Sequence, residues 1–253
     1  MLTQKLGVQA STLIVFVILA RMLDARDFGL MAMANVIILF LSVLAAQGLT
    51  SAIIQRQDLE KAHLDTAFWL NLMVGSDMCL ITIATAPWLA KLYQEPDVAI
   101  LIWALSGNIV LESLVSVQNS ILQRRLEFRR IAMRKLLAEL IAGATGITLA
   151  YSGFGVWSLV VRATLSLFIQ MLVFWWVTDW RPRLAFSMQH AKDIFGYGIN
   201  VLGVNVLNFC SRQLDDLLVG IFLGATVLGQ YSIAKRLVLT AVDLIRGGIG
   251  SVA

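Results

Sequence analysis

Charged residues are scarce in this sequence, and their scarcity argues against a soluble domain. Only 14% of the 253 residues are Asp, Glu, Lys or Arg, whereas 58% are hydrophobic and the mean hydropathy is +0.79. Soluble domains carry roughly 25% charged residues. The deficit indicates many lipid-facing surfaces, as in a multi-pass membrane protein.

Proline, cysteine and histidine are also few. With three prolines most of the chain is free to be helical, and its apolar runs lack the alternation of strands. Cys79 and Cys210 lie in apolar runs, which predicts buried thiols and not a disulfide framework. His63 and His190 fall in predicted loops without partners at metal-ligand spacing, and no Walker loop or dinucleotide fingerprint is present. We therefore expect that the chain is not an enzyme and that it has no metal site and no cofactor.

Eight apolar segments have about the ~20 residues that a bilayer core requires. They are approximately Leu2–Ala20, Leu30–Ile54, Ala67–Leu89, Val98–Leu122, Leu136–Tyr151, Val156–Val177, Ile194–Leu223 and Val227–Ile245. The predicted fold class is all-α: a polytopic membrane helical bundle with about eight transmembrane helices.

Basic residues are distributed unequally between the two sides of these spans. The loops after spans two, four and six contain Arg56, Lys61, Arg124, Arg125, Arg129, Arg130, Arg134, Lys135, Arg181, Arg183 and Lys192, against Arg21, Arg26 and Lys91 at the opposite side. The opposite side has short predicted turns at residues 24–29, 90–97, 152–155 and 224–226. By the positive-inside rule the basic side and the N-terminus are cytoplasmic.

A short polar segment between two apolar runs, which we call a corner and which includes residues 23–29, repeats at an offset of 200 residues. Leu23, Ala25 and Gly29 are identical to Leu223, Ala225 and Gly229, and the match continues without a gap through Ala34, Leu39 and Leu44. A fixed offset is the mark of an internal repeat. It predicts a complete unit over residues 1–182 and the start of a second over residues 183–253.

Polar side chains recur inside the spans at offsets of three and four, which place them on one helical face. The stripes are Asn205, Asn208, Arg212, Asp215 and Asp216; Ser232, Arg236, Thr240 and Asp243, with Lys235 beside them; Asn108, Glu112, Ser116 and Asn119; and Ser158, Arg162, Ser166 and Gln170. A charge at mid-bilayer costs about 2.5–3.5 kcal/mol on insertion scales, so it normally faces protein or water. The stripes predict a shared wet cavity near the midplane. The alternative is that Arg212 and Arg236 simply neutralise Asp215, Asp216 and Asp243.

Several motifs, taken in order, resemble one family. They lie at residues 19–23 with 27–30, 122–128, 155–160, and 212–218 with 220–231. They resemble the polysaccharide-transporter branch, the Wzx-type oligosaccharide flippases, of the multidrug/oligosaccharidyl-lipid/polysaccharide exporter (MOP) superfamily.

The resemblance covers nearly the whole chain and implies two six-helix lobes around a central cavity. It also implies alternating-access translocation of undecaprenyl-diphosphate-linked oligosaccharide across the bacterial cytoplasmic (inner) membrane, for exopolysaccharide, O-antigen or capsule biosynthesis. One six-helix lobe and only the first two helices of the second fit into 253 residues. We therefore expect an incomplete flippase that does not transport alone.

A diphosphate cargo implies cationic cavity residues, because the arginine fork binds phosphate oxygens bidentately. The candidate cations are Arg21, Arg56, Arg162, Arg212, Lys235 and Arg236, and the candidate acids for ion coupling are Asp77, Glu112, Asp215, Asp216 and Asp243. Expected partners are the lipid-linked oligosaccharide, the bilayer and other polysaccharide-assembly proteins, but not nucleic acid.

Two further functions stay open. A drug or cation antiporter of the same superfamily would use the cavity acids, although the arginines weigh against it. A non-transporting scaffold of a glycan-assembly complex would use the basic segment 123–135. The alternative is that this segment is only an orientation signal.

Overall fold

The computed structural model describes residues 2–46, 53–54 and 60–249. Within these ranges the chain forms seven α-helices and no strand, which confirms the all-α fold class. The helices are α1 (Leu2–Met22), α2 (Ala25–Ala46), α3 (Lys61–Tyr93), α4 (Asp97–Arg124), α5 (Phe128–Tyr151), α6 (Val156–Val177) and α7 (Met188–Ile249). Because α7 is interrupted at Gly224 (φ 80°, ψ 177°), it consists of two arms, residues 188–223 and 225–249. Eight helical segments therefore correspond to the eight predicted spans.

Five helical stretches are long and apolar enough to cross a bilayer. They are Ala25–Ala45, Lys61–Tyr93, Asp97–Arg124, Val156–Val177 and Val201–Val242, with a shorter apolar stretch at Gln9–Met22. The remaining helix, α5, carries Arg134, Lys135 and Glu139 in its N-terminal half. Large apolar side chains such as Trp176 and Phe222 are exposed, 90% and 77% respectively, as lipid-facing surfaces require. The chain is a multi-pass membrane protein.

Three predicted connections are shorter in the structure than in the sequence interpretation. The loop predicted at residues 24–29 is wrong, because α2 already begins at Ala25. The turn predicted at 224–226 is a single break at Gly224, and the basic segment 123–135 is helical except at residues 125–127. The predicted spans end at polar residues, whereas the helices continue through those residues. An acid in the first turn, such as Asp27, even stabilises the helix, because its negative charge interacts favourably with the helix dipole.

His63 does not lie in a loop, so the prediction made for it from the sequence is wrong. The residue lies in the first turn of α3 and is only 4% exposed. Its Nδ1 accepts a hydrogen bond from the backbone N–H of Glu60 at 3.3 Å, and the Glu60 side chain accepts one from the backbone of His63. This reciprocal pair is a capping box, so the histidine completes a helix end.

The connections gather at two opposite ends of the bundle. At the first, which we call the corner end, Arg26 at the start of α2 forms an ion pair of 2.8 Å with Glu95 in the turn between α3 and α4. At the second, the linker end, Trp69 Nε1 donates to the carbonyl of Arg183, 2.8 Å away. The backbone N–H of Arg183 also donates to Asp65 Oδ1 at 3.1 Å, so the segment before α7 lies on the start of α3.

The two repeated corners contact each other reciprocally at the corner end. A Cβ added to Gly29 would collide with the backbone carbonyl of Ala225, and a Cβ added to Gly229 would collide with that of Ala25. Only glycine permits so close an approach of two backbones. Such an exchange of equivalent contacts is the geometry expected of two units related by a pseudo-twofold axis.

Candidate substrate cavity

A cavity of about 300 Å³ lies between five helices of the bundle and the second arm of α7. Its lining residues are Phe16, Phe28, Met31, Asn35, Ile38, Leu39, Asn108, Glu112, Glu139, Leu159, Arg162, Ala163, Ser166, Leu167, Gln170 and Arg236. We call it the main cavity. An apolar wall with a few converging polar groups is the usual composition of a ligand site, and the volume is at the lower end of the range of roughly 300–1,000 Å³.

The polar side of the main cavity comes from two of the predicted stripes. On α4, Asn108 and Glu112 are four residues apart, and on α6 the same spacing relates Arg162, Ser166 and Gln170. Side chains at this spacing point to the same side of a helix. The structure therefore brings the stripes of α4 and α6 to one space.

Arg162 enters the main cavity already paired. One of its terminal nitrogens, Nη2, forms an ion pair with Glu139 of α5, and both side chains are 12% exposed. The Nε of the same guanidinium is buried and has no hydrogen-bond partner in the described part of the chain. The pair neutralises a charge that would be costly at this depth, and it uses only part of the guanidinium's five N–H donors.

Arg236 reaches the same cavity from α7 in a different state. Its guanidinium carbon lies 4.7 Å from the centre of the Phe16 ring, a cation–π contact. No carboxylate forms an ion pair with it in the described ranges. A guanidinium stacked on one face keeps its N–H donors, which lie in its own plane, available to an anion.

A separate charged cluster, the α7 cluster, connects the two arms of α7. Lys235 Nζ donates to Asp215 Oδ1 and Asp216 Oδ2, each at 2.9 Å, and to the backbone carbonyl of Arg212 at 2.7 Å. Tyr231 completes the cluster, since its hydroxyl donates to Asp215 Oδ2 at 2.6 Å. Asp215 and Asp216 thus share Lys235 as their ion-pair partner, and in the described ranges neither pairs with the two arginines that the alternative interpretation named.

The remaining predicted site residues lie elsewhere. Arg21, Asp77 and Arg212 have exposed side chains and line neither the main cavity nor the second cavity described below. Arg56 lies outside the described residues, as does the side chain of Asp243.

A second cavity of about 150 Å³ adjoins the main one, and Glu112 lines both. Its walls are Ser42, Ala45, Asn71, Ile109, Glu112, Ser113 and Ser116. The hydroxyl of Ser42 lies beside the Glu112 carboxyl. Four of its seven lining residues carry side-chain hydroxyl or amide groups, and they come from α2, α3 and α4.

Sequence reasoning overlooked Glu139 and Phe16. Glu139 is a lone acid within a predicted apolar span, the same signal that identified Asp77. Phe16 gave no signal, because an aromatic residue in an apolar helix is indistinguishable from lipid-facing or core residues until its neighbour is known.

The described helices form a multi-pass bundle with a polar central cavity and reciprocally packed corners. The fold resembles a solved inward-facing multidrug resistance MATE family transporter of the MOP superfamily, with a TM-score of 0.64 at 19% identity. That likeness covers 94% of this chain and 60% of the transporter.

The chain belongs to the polysaccharide biosynthesis protein family, whose pattern matches residues 18–253. It is 32% identical over 87% of its length to the succinoglycan biosynthesis transport protein ExoT of Rhizobium meliloti, and covers 44% of that protein. It is 28% identical over 88% of its length to the lipopolysaccharide biosynthesis protein WzxC of Escherichia coli, covering 46% of it. The amylovoran biosynthesis protein AmsL of Erwinia amylovora is 30% identical over 81% of the chain and is 54% covered. The predicted family is confirmed, and the chain spans about half the length of these relatives.

Proposed function

We propose that this chain binds lipid-linked oligosaccharide diphosphates and takes part in moving them across the bacterial inner membrane for polysaccharide assembly. The activity is transport without a chemical step on the cargo. The main observation behind the proposal is Arg236, a guanidinium that lines the central cavity and forms no ion pair with a carboxylate in the described ranges, which leaves it open to an external anion.

The surroundings of Arg236 suit the remainder of such a cargo. Asn35, Asn108, Ser166 and Gln170 offer neutral donors and acceptors in the same cavity, and these groups suit sugar hydroxyls. At about 300 Å³ the main cavity has room for a diphosphate and its first sugar, while a polyprenyl tail would remain in the bilayer. The roles of the relatives in succinoglycan, lipopolysaccharide and amylovoran biosynthesis agree with a saccharide cargo.

The proposed orientation places the corner end outside the cell. The eleven basic residues belong to the predicted loops after spans two, four and six, whose described parts lie at the linker end. The positive-inside rule assigns these loops and the N-terminus to the cytoplasm. The glycine contacts of Gly29 and Gly229 then close the cavity toward the exterior. We propose that residues 1–182 form one lobe, that residues 183–253 begin a second, and that these contacts separate when the cargo is released outward.

Binding to the purified chain tests the proposal without requiring complete transport. The chain is placed in lipid nanodiscs and titrated with undecaprenyl diphosphate, undecaprenyl monophosphate or phosphatidylglycerol. We expect the diphosphate to bind tightest, and Arg236→Gln to weaken its binding about 10- to 100-fold, since a hydrogen bond to a charged group contributes about 1.5–3 kcal/mol.

The matched control is Lys91→Gln, which removes an exposed cation that lines neither cavity. The control should bind the diphosphate as the parent does. Equal affinity for all three lipids, or equal loss in both variants, would show that the interaction is non-specific attraction to the membrane surface.

A drug or cation antiporter is the second candidate, and Glu112 is the observation that favours it. This acid is exposed to the main cavity and has no ion-pair partner in the described ranges. In the same nanodiscs, saturable binding of an organic cation such as ethidium that is lost in Glu112→Gln, with no diphosphate binding, would favour this function.

A further inference from the structure

The second cavity contains a buried amide oxygen that lacks a donor. Asn71 is 2% exposed, and its Nδ2 donates to the backbone carbonyl of Ser113 at 3.1 Å. This bond fixes the direction of the amide, so Oδ1 is left as an acceptor, and no hydrogen bond to it occurs in the described part of the chain. A buried acceptor is normally satisfied, so this oxygen is open to a hydrogen-bond donor or a cation.

We propose that the second cavity is a sodium site formed by Glu112, Asn71 and Ser42. These side chains supply a carboxylate, an amide carbonyl and a hydroxyl, and all three line the same 150 Å³ space. Oxygen donors of this kind are ligands of hard cations. A single carboxylate gives the site one negative charge, which balances a monovalent cation and leaves a divalent one uncompensated.

The helices hold these oxygens in a rigid frame. At the level of the site α3 and α4 touch, because a Cβ on Gly75 would collide with the hydroxyl of Ser113. Ser113 Oγ in turn donates to the carbonyl of Ile109 at 2.9 Å. A cation site gains affinity when its ligands are pre-positioned in this way, since little ordering remains to be done on binding.

Occupancy of this site would alter the charge of the main cavity, a step that rests on the proposed function. Arg162 and Arg236 are balanced there by Glu139 and Glu112, so the four charges sum to zero. A sodium ion on Glu112 leaves a net charge of +1. The cation would thereby favour an anionic cargo, and by linkage the cargo would favour the cation.

The thermal midpoint of the purified chain in detergent tests the site without any cargo. Sodium chloride is compared with choline chloride and potassium chloride at equal ionic strength and fixed pH. A ligand that binds only the folded state stabilises it, and at ten times the dissociation constant we expect sodium to raise the midpoint by about 3–6 °C. Binding of radioactive sodium provides a second readout.

Glu112→Gln should abolish both the midpoint shift and the retention of sodium, because it replaces the one negative ligand at nearly constant shape. Asp77→Asn is the matched control, since this exposed acid of α3 lines neither cavity, and it should keep both. Equal midpoints in sodium and choline without bound sodium would overturn the proposal. So would a midpoint that depends on pH and Glu112 but not on sodium, which would assign a proton to the site. Because no lipid diphosphate is present, either result leaves the proposed function standing.

Discussion

Lys235 and Arg236 are neighbours in sequence on the second arm of α7, yet their charges have opposite surroundings. Lys235 lies between two carboxylates at 2.9 Å and a backbone carbonyl at 2.7 Å. Arg236 stacks on Phe16 and lines the main cavity, where no carboxylate of the described ranges forms an ion pair with it. About 100° of helical rotation separates a cation with a structural role from one that is open to a ligand.

The difference shows that a charge within a membrane helix does not by itself indicate a binding site. The carboxylates of Asp215 and Asp216 satisfy Lys235, so an anion would have to displace them. An anion that binds Arg236 would not have to displace a carboxylate. The two roles differ in whether a carboxylate already pairs with the cation, and not in the cost of burying the charge.

The largest effect is expected when Lys235 is removed. Lys235→Ala leaves Asp215 and Asp216 adjacent without a cation, and we expect a loss of about 2–3 kcal/mol in unfolding free energy. That value lies between those of exposed and buried pairs, because the Asp215 side chain is 40% exposed. Thermal or denaturant unfolding in detergent measures it.

A compensated variant provides the control for the α7 cluster. Lys235→Ala combined with Asp215→Asn and Asp216→Asn removes the unpaired charges and should recover most of the lost stability. If the triple variant is no more stable than the single one, the lysine contributes packing, and the cluster is not held by charge.

The second effect concerns the shape of the cation in the main cavity. Arg236→Lys keeps the charge but loses the planar fork and the stacking surface for Phe16. We expect the affinity for undecaprenyl diphosphate to fall about tenfold, with the unfolding free energy nearly unchanged. Titration of the nanodisc-bound variant measures it, and an unchanged affinity would mean that only net charge matters.

The stripes on α4 and α6 could be predicted from the sequence because helical periodicity is a local property. Asn108 with Glu112, and Arg162 with Ser166, face one space because four residues make about one turn. The spans themselves follow from the length of apolar runs in the same way. Family-specific motifs added the superfamily fold.

The partners of the charges could not be predicted, because they depend on how the helices cross. Lys235 meets Asp216 only because the backbone breaks at Gly224 and folds the second arm of α7 against the first. Glu139 reaches Arg162 because α5 and α6 pack tightly, with the Cβ of Arg162 3.0 Å from where a Cβ on Gly146 would lie. Neither distance is encoded in residue spacing.

A smaller effect should follow from releasing Arg162. Glu139→Gln removes the acid paired with it and raises the net charge of the main cavity by one. At low salt we expect diphosphate affinity to rise about threefold, and the gain should shrink as salt screens the field. Asp179→Asn removes an exposed acid outside both cavities and should change nothing. A weaker affinity in Glu139→Gln would mean that this pair positions Arg162 for the cargo.

The smallest effect is expected at Arg212, which the sequence ranked beside Arg236. Its side chain is exposed and lines neither cavity, and only its backbone carbonyl joins the α7 cluster. Arg212→Gln keeps that carbonyl, so diphosphate affinity in nanodiscs should change less than twofold and the unfolding free energy should stay within about 0.5 kcal/mol. A tenfold loss of affinity would mean that the stripe on the first arm of α7 reaches the cargo after all. Lys235 donates a hydrogen bond to the backbone carbonyl of Arg212. Such a loss of affinity without a loss of stability would therefore require the α7 cluster to open when the cargo binds. The contrast between Lys235 and Arg236 would then describe one conformation of the transport cycle and not two fixed roles.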